Sequence, residues 1–353
     1  MRNKRPTVAD LAAFDEIIDV RSPAEFAEDH IPGAINCPVL DDAQRAQVGT
    51  IYKQVSPFEA KKIGAALVSE NIARHLKERF LDRPKSWKPL IYCWRGGDRS
   101  GSMTTIFRAI GWQAGQLEGG YKSWRTHVIT QLAELPQKLH FQVICGPTGS
   151  AKTRILQAIG ALGEQVLDLE TLASHKGSVL GILPGQPQPT QKWFETRLLQ
   201  QLAVFDPARP VYVEAESRKI GRLHVPDALI ERIRCGGCFN VDATPEARVA
   251  FLLEDYAYFL DSPDFLASRL GALQGLQSRE TLTRWQELAG SGEWPVLVRE
   301  LLDLHYDPLY RRSQSHNFAG SATGEQFTTA DLSEAGIARL ASAIVQSRMA
   351  QIA

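Results

Sequence analysis

The sequence predicts two α/β domains in tandem, the second ending in a helical part. A buried strand leads into the loop YCWRGGDRS, residues 92–100, and a helix follows it. A second strand leads into ICGPTGSAKT, residues 144–153, again before a helix. Apolar residues then recur at helical spacing through residues 244–304. Strands that alternate with helices are typical of α/β folds.

Composition bounds the class of protein. A chain of 353 residues, 44% hydrophobic and 23% charged, suits two soluble domains. Its longest apolar runs are too short to span a membrane, and MRNKRPTVAD lacks the apolar segment of a signal peptide. Five scattered cysteines favour reduced thiols, so we expect a cytoplasmic protein without a membrane partner. Forty basic and forty acidic residues balance, so a nucleic-acid partner needs a local basic patch.

The predicted elements fall into domains 1–134 and 139–353, joined by the linker 134–138. The first domain has strands at residues 14–20 and 89–93, and helices that start at Ala24, at Glu59 and at Ser100. The second has strands at 139–145, 165–169 and 211–215, a helix at 152–162, an exposed Pro/Gly-rich loop at 181–190 and a last helix at 331–349.

Cys93 is the candidate nucleophile of the first domain. Gly96 and Gly97 can turn backbone N–H groups towards an anion, and the next helix points its positive end at the same place. Arg95 and Arg99 add positive charge, and all these effects favour a thiolate. The alternative is a buried structural cysteine, the commonest role of an unpaired one. We disfavour it because an inert thiol needs neither the glycine pair nor the arginines.

The segment GPTGSAKT, residues 146–153, matches the phosphate-loop pattern except at Ala151, where the pattern has glycine. Lys152 is expected to reach phosphate oxygens, and Thr153 can hold Mg²⁺. If the position needs a positive φ, alanine there costs about 1 kcal/mol. The remaining predicted phosphate contacts come from the loop itself: Gly146, Thr148, Gly149 and Ser150.

Charged residues follow the predicted strand 211–215. Glu214 and Glu216 stand where such folds usually place an aspartate, and Ser217, Arg218 and Lys219 come next. This group suits a diphosphate or an RNA backbone, or else it is a solvated loop. His175 is a further candidate contact, with a structural role equally open. We assign no metal-ligand set and expect no tightly bound cofactor.

Two further groups of side chains have a structural alternative. Cys235 and Cys238 form a C-x-x-C pair without a second pair, so incidental thiols are favoured over redox or metal roles. Tyr256, Tyr258 and Phe259 are interpreted as a core stripe of a helix, although such a face could stack a base or hold an isoprenoid chain.

Residues 17–38, IIDVRSPAEFAEDHIPGAINCP, resemble the first signature of rhodanese domains, and Cys93 matches their sulfur-carrying cysteine. Five residues separate Cys93 from Arg99, as in the rhodanese-like phosphatases. Those phosphatases usually have histidine before the cysteine, whereas this chain has Tyr92. The wider loop should accept selenium or a tetrahedral phosphate.

A rhodanese-like domain followed by a P-loop NTPase-like α/β domain with a helical C-terminal part resembles the tRNA 2-selenouridine synthase family. The resemblance extends to four further segments: SHKGSVLG, QPTQKWFE, VEAESRKIG and YDPLY. It implies a transferase that replaces sulfur by selenium in the wobble 2-thiouridine of tRNA. The co-substrates would be selenophosphate, with its synthetase as a partner, and geranyl diphosphate, which first alkylates the sulfur.

Two other functions remain as alternatives. One is a rhodanese-type sulfurtransferase or phosphatase coupled to an NTPase domain, and Tyr92 speaks against the phosphatase. The other is a non-catalytic binding protein, and the intact Cys93, Arg95 and Arg99 speak against it.

Overall fold

The computed structural model describes residues 5–260 and 263–350, and the chain divides into two compact units, 1–131 and 132–353. The predicted fold class is confirmed: both units are α/β, and the second has a helical C-terminal part. Within the described residues, no helix combines the length and apolarity that a membrane crossing requires.

Unit 1 is built on four short parallel strands. Its strands are β1 (Glu16–Asp19), β2 (Ile35–Asn36), β3 (Pro89–Tyr92) and β4 (Gly115–Gln116). Its helices are α1 (Pro23–Glu28), α2 (Asp42–Gln54), α3 (Pro57–His75), α4 (Asp98–Ile110) and α5 (Gly120–Glu134), whose last residues lie in unit 2. The sheet order is β2-β1-β3-β4.

The core of unit 1 explains where its site forms. Ile18 and Ile91 of the central strands, with Val20 directly after β1, pack with Met103 and Phe107 of α4. Because every strand pair is parallel, all carboxyl ends meet at one edge of the sheet, where Cys93 follows β3 directly.

Unit 2 has a second parallel sheet, in the order β11-β10-β5-β7-β6. Its strands are β5 (His140–Cys145), β6 (Gln165–Leu167), β7 (Pro210–Glu214), β10 (Gly237–Ala243) and β11 (Glu325–Thr329), and an antiparallel hairpin adds β8 (Lys219–Ile220) and β9 (Leu223–His224). The phosphate-loop strand β5 therefore lies between β10 and β7, so the acidic end of β7 is beside the loop.

Helices complete unit 2 in two groups. Those around the sheet are α6 (Lys152–Ala161), α7 (Leu169–Ala173), α8 (Gln191–Ala203), α9 (Asp227–Arg234), α10 (Pro245–Asp255) and, later in the chain, α16 (Glu334–Ala350). The helical part adds α11 (Ala257–Leu260), α12 (Pro263–Gly271), α13 (Arg279–Ser291), α14 (Trp294–Leu301) and α15 (Asp307–Asn317). Trp285, Leu270 and Leu297 are central to its separate apolar core.

The structure differs from the prediction mainly at the ends of elements. The helix predicted at 59–80 begins at Pro57, ends as an α-helix at His75 and continues as a π-helical turn to Phe80. The segment predicted as a linker, 134–138, contains a 3₁₀ turn, Leu135–Lys138. The strand expected at 14–20 is shorter, Glu16–Asp19, although the Val20 amide still donates to Tyr92.

Gly120 allows α5 to start directly against the cysteine loop. Its φ is +59°, and a Cβ there would lie 2.3 Å from the Cys93 carbonyl oxygen. We expect Gly120→Ala to destabilise unit 1 by about 2–5 kcal/mol, since left-handed strain and overpacking add. Hydrogen exchange of unit 1 peptides measures the loss.

Gly33→Ala is the matched control. Gly33 also has a positive φ, +77°, but nothing lies within 4 Å of an added Cβ. It should therefore lose only about 1–2 kcal/mol. Equal losses in the two variants would contradict the role given to close packing at Gly120.

Candidate functional site

The thiol of Cys93 is held at the start of the loop between β3 and α4. Cys93 is 4% exposed. The Ser100 hydroxyl, in the first turn of α4, lies 3.2 Å from its sulfur and donates to it. Gly97 is the N-cap of α4, so the helix begins at Asp98, two residues before the predicted start at Ser100. The sulfur is therefore buried and accepts a hydrogen bond from the helix that follows it.

Gln116 of β4 braces this loop, and the motif gave no sign of it. Its amide nitrogen donates to the carbonyl oxygens of Gly96 and Gly97, both at 3.0 Å, and to the Ser100 hydroxyl at 2.9 Å. With Gln116 as its donor, the Ser100 hydroxyl has one proton to share between two acceptors at 3.2 Å, the Cys93 sulfur and the Gly97 carbonyl oxygen. Gln116 is far from the loop in sequence, and strand pairing brings it there.

The two predicted arginines are placed differently. Arg99 forms a two-pronged ion pair with Glu25 of α1, at 2.7 and 3.3 Å. Burial acts to raise the pKa of Glu25, but the hydrogen bonds and charge of Arg99 hold that pKa below its usual value. Arg95 is exposed. The charge of Arg99 is thus directed at Glu25, whereas Arg95 is accessible to an approaching anion.

Tyr92 has a structural role in this unit. Its ring is fully buried, and its hydroxyl accepts a hydrogen bond from the Ile31 amide at 3.1 Å. Beside it, the buried Arg21 binds Asp19 at 2.6 Å and stacks over Tyr121 at 3.9 Å. The residue in the histidine position therefore ties strand β3 to the turn at Ile31.

The phosphate loop in unit 2 has the strand–loop–helix context that its motif requires, between β5 and α6. The Lys152 ammonium donates to the carbonyl oxygens of Gly146 and Pro147 at 2.9 and 3.3 Å. It therefore spans the loop. Gly149 and Ala151 both have positive φ, +83° and +57°. Ala151 therefore has the left-handed backbone in which alanine costs about 1 kcal/mol relative to glycine.

Arg248 of α10 clamps the loop from outside. Its Nε donates to the Thr148 carbonyl oxygen at 2.8 Å, and its two terminal nitrogens bind Asp307 at 3.0 and 2.6 Å. Arg248 is only 6% exposed, and Asp307 belongs to the segment YDPLY. A buried, two-pronged pair of this kind has well-defined geometry, so it fixes the loop relative to the helical part of unit 2.

Three glutamates meet beside the loop. The Thr153 hydroxyl lies 2.9 Å from Glu170 Oε2 and 3.1 Å from Glu214 Oε2. Glu170, Glu214 and Glu216 each offer a carboxylate oxygen, and these oxygens lie within 4.8 Å of one another. Glu214 is 2% exposed, and its Oε1 has no hydrogen-bond partner among the described residues. The sequence-based choice of no metal-ligand set overlooked this cluster, because Glu170 comes from a different segment.

Without a cation, burial and mutual repulsion disfavour the charged forms of these three carboxyl groups. Burial, helped by the charge of Glu216, raises the pKa of Glu170 to about 8. Burial also raises the pKa of Glu214 well above its ordinary value, and the charges of Glu170 and Glu216 add to this. The pKa of Glu216 is raised by burial too. Oxygen ligands with an adjacent threonine hydroxyl fit a hard divalent cation such as Mg²⁺.

A cavity of about 760 Å³ joins these groups. It contains Lys152, Thr153 and the three glutamates, together with His175 and Ser217. His175 is 4% exposed, and burial lowers its pKa, which favours a neutral ring. Lys176 binds Asp255 at 2.5 Å and lies 4.1 Å from the centre of the Tyr256 ring. The predicted contacts His175, Glu214 and Ser217 are thus together in one cavity.

Other predicted residues are outside that cavity or only partly in it. Arg218 and Lys219 are exposed, and Arg218 pairs with Asp227 at 2.8 Å. Phe259 belongs to the helical core, whereas Tyr256 and Tyr258 pack against that core and also line the cavity. The four other cysteines are not in disulfide bonds, with Cys235 exposed and the others buried: Cys37, Cys145 and Cys238.

Two family profiles match the chain in sequence. Residues 5–127 match the rhodanese-like domain, and residues 139–284 match the AAA domain of tRNA 2-selenouridine synthase. The first match contains the Cys93 loop, and the second contains the phosphate loop, the three glutamates and Arg248.

Full-length relatives agree with both profiles. The tRNA 2-selenouridine synthase of Nitrosomonas europaea is 32% identical, over 91% of this chain and 97% of the relative. That of Alcanivorax borkumensis is 34% identical, over 86% and 92%. A crystal structure of a rhodanese-related protein from Thermoplasma volcanium is 19% identical, covers 35% of this chain and 92% of its own, and has a TM-score of 0.23.

The raised pKa values predict how stability varies with pH in the cation-free protein. Between the ordinary carboxyl pKa of 4.5 and about 8, the folded protein binds more protons at Glu170 than the unfolded chain does. The free energy of unfolding of unit 2 should therefore fall as pH rises through this window, by on the order of a few kcal/mol. Urea denaturation at several pH values, in chelator and in millimolar Mg²⁺, measures it, and Mg²⁺ should stabilise more at high pH.

Glu214→Gln should flatten this pH dependence, because it removes one of the crowded charges. Glu231→Gln, on the exposed face of α9, is the matched control and should leave the dependence unchanged. An equal pH dependence of the unfolding free energy in the two variants would contradict its assignment to the glutamate cluster.

Proposed function

Because this chain belongs to the tRNA 2-selenouridine synthase family and is a tRNA-modifying transferase, we propose that it exchanges sulfur for selenium in two steps. In the first, geranyl diphosphate alkylates the sulfur of wobble 2-thiouridine. In the second, selenium from selenophosphate replaces the S-geranyl group. The observation that carries this division is the pairing of a thiol loop with a separate phosphate loop beside three glutamates.

Unit 2 is assigned to the alkylation. The thiocarbonyl sulfur attacks C1 of the geranyl group, a C–S bond forms, and the C–O bond to diphosphate breaks. Negative charge then grows on the departing diphosphate. Lys152, the loop N–H groups and the start of α6 are suited to stabilise that charge. Thr153 and the glutamate cluster would hold Mg²⁺, which neutralises diphosphate oxygens when bound.

Unit 1 is assigned to the selenium step. The C2–S bond breaks and a C2–Se bond forms, geranylthiol leaves with a proton, and water cleaves the P–Se bond of selenophosphate to release phosphate. Alkylation makes this sulfur a better leaving group than a thiocarbonyl sulfur. Cys93, with its Ser100 donor, is the thiol we assign to the handling of selenium, and the exposed Arg95 is suited to attract selenophosphate. Selenophosphate would be delivered in the cytoplasm by its synthetase, which we propose as a partner.

The two steps should be separable by mutation. Lys152→Ala should slow formation of S-geranyl-2-thiouridine by about 10²- to 10³-fold, since it removes one preorganised cationic donor. Given tRNA that is already geranylated, the same variant should still incorporate selenium. Cys93→Ser should show the reverse pattern and accumulate the geranylated nucleoside. Mass spectrometry of nucleosides, with each variant supplied with both tRNA forms, measures both steps.

The step that each variant still performs serves as the folding control for that variant. Normal geranylation by Lys152→Ala, or geranylation that requires added ATP, would contradict the role given to the phosphate loop. Selenium incorporation by Cys93→Ser would contradict the role given to the thiol.

The tRNA itself needs a basic surface, and we propose the exposed cations around the β8–β9 hairpin: Arg218, Lys219 and Arg222. Reversing these three charges should weaken tRNA binding and reduce the slope of log affinity against log salt by up to about 2–3. Filter binding at several salt concentrations measures the slope.

Single charge reversals give a matched comparison. Arg218→Glu and Arg339→Glu each replace an exposed arginine that has an aspartate partner, Asp227 or Asp331. Only the first should change the salt slope. An equal effect of both, or of neither, would move the tRNA surface elsewhere.

A further inference from the structure

A small apolar recess lies within the helical part of unit 2. It has a volume of about 70 Å³ and is lined almost wholly by apolar side chains of α10, α11, α12 and α14. Leu266, Trp294, Leu297, Val298 and Leu301 form much of its wall. Apolar space of this kind offers water few hydrogen-bond partners and accepts apolar ligands. It also forfeits dispersion contacts that a filled core would have, so an apolar guest would recover them.

The recess adjoins the cavity of about 760 Å³ around the phosphate loop, which we call the phosphate cavity. Five residues line both spaces: Thr148, Ser178, Leu252, Tyr256 and Tyr306. Thr148 is itself part of the phosphate loop, and Lys152 and Thr153 lie in the larger cavity. Polar groups are therefore concentrated around the loop, and the lining becomes apolar beyond the shared side chains. A ligand that occupied both spaces would have an anionic head and a hydrocarbon tail.

We infer that this recess holds the far end of the isoprenoid chain whose diphosphate lies on the phosphate loop, and that its wall sets the accepted chain length. The inference rests on the proposed alkylation and adds the residues that select the donor. The recess takes the distal isoprene unit, and the rest of the chain lies along Leu252 and Tyr256 at the shared boundary. Val298 and Trp294, both half-buried, stand at positions where side-chain volume can be changed.

A pair of substitutions on one helix tests this placement. Val298→Phe adds volume inside the recess, whereas Val296→Phe adds the same volume on the outside of α14, where Val296 is 41% exposed. Each variant receives dimethylallyl, geranyl and farnesyl diphosphates with 2-thiouridine tRNA and Mg²⁺, and mass spectrometry quantifies the S-alkylated nucleosides. Val298→Phe should lower the ratio of geranyl to dimethylallyl transfer by about 10- to 200-fold relative to Val296→Phe.

Trp294→Ala supplies the opposite change. It enlarges the recess and should raise the ratio of farnesyl to geranyl transfer. Because each ratio is measured within one protein sample, partial unfolding of a variant cancels. Unchanged ratios in Val298→Phe and Trp294→Ala, with S-alkylation continuing, would overturn the recess as the chain site. Absence of S-alkylation by the unaltered protein with all three donors would instead overturn the proposed alkylation, and the inference with it.

Discussion

The proposed phosphate site depends on the balance of charge around Thr153. Three carboxylates share a mostly buried corner with one lysine ammonium. In a medium of low polarity their repulsion is strong, so the corner must gain protons or a cation. Protons would neutralise the carboxylates but would provide no ion that can bind diphosphate oxygens. A divalent cation, in contrast, cancels the repulsion and offers positive charge to a diphosphate. Cation and diphosphate binding are therefore expected to reinforce each other.

Local motifs made the two loops predictable, because strand, loop and helix are contiguous in the chain. Cys93 and residues 146–153 lie where the sequence indicated. The residues that brace them were not predictable in this way. Gln116 reaches the cysteine loop through the β3–β4 pairing, and Arg248 and Asp307 reach the phosphate loop from separate helices. Such partners depend on strand order and helix packing, which a motif does not encode.

The burial or exposure of charged side chains was the property least predictable from the sequence. The sequence grouped Glu214 and Glu216 with Arg218 and Lys219 as one charged loop, yet the glutamates are buried and the cations exposed. Strand β7 ends at Glu214, and beyond it the chain turns out to the β8–β9 hairpin. Glu170, at the start of α7, completes the cluster because β6 pairs with β7. Neighbours in sequence were thus separated, and distant residues were joined, by the order of strands in one sheet.

The two sites also differ in the kind of atom that each suits. Cys93 presents a soft sulfur, braced by the neutral donors Ser100 and Gln116, and selenium is the softer relative of sulfur. The phosphate cavity presents carboxylate oxygens and an ammonium, which suit hard cations and phosphate oxygens. A thiolate would gain little from a hard cation, and a diphosphate would gain little from a thiol. The two reactions that we propose have such different demands that two sites would serve them better than one, with the tRNA base carrying the proposed S-geranyl group between the two reactions.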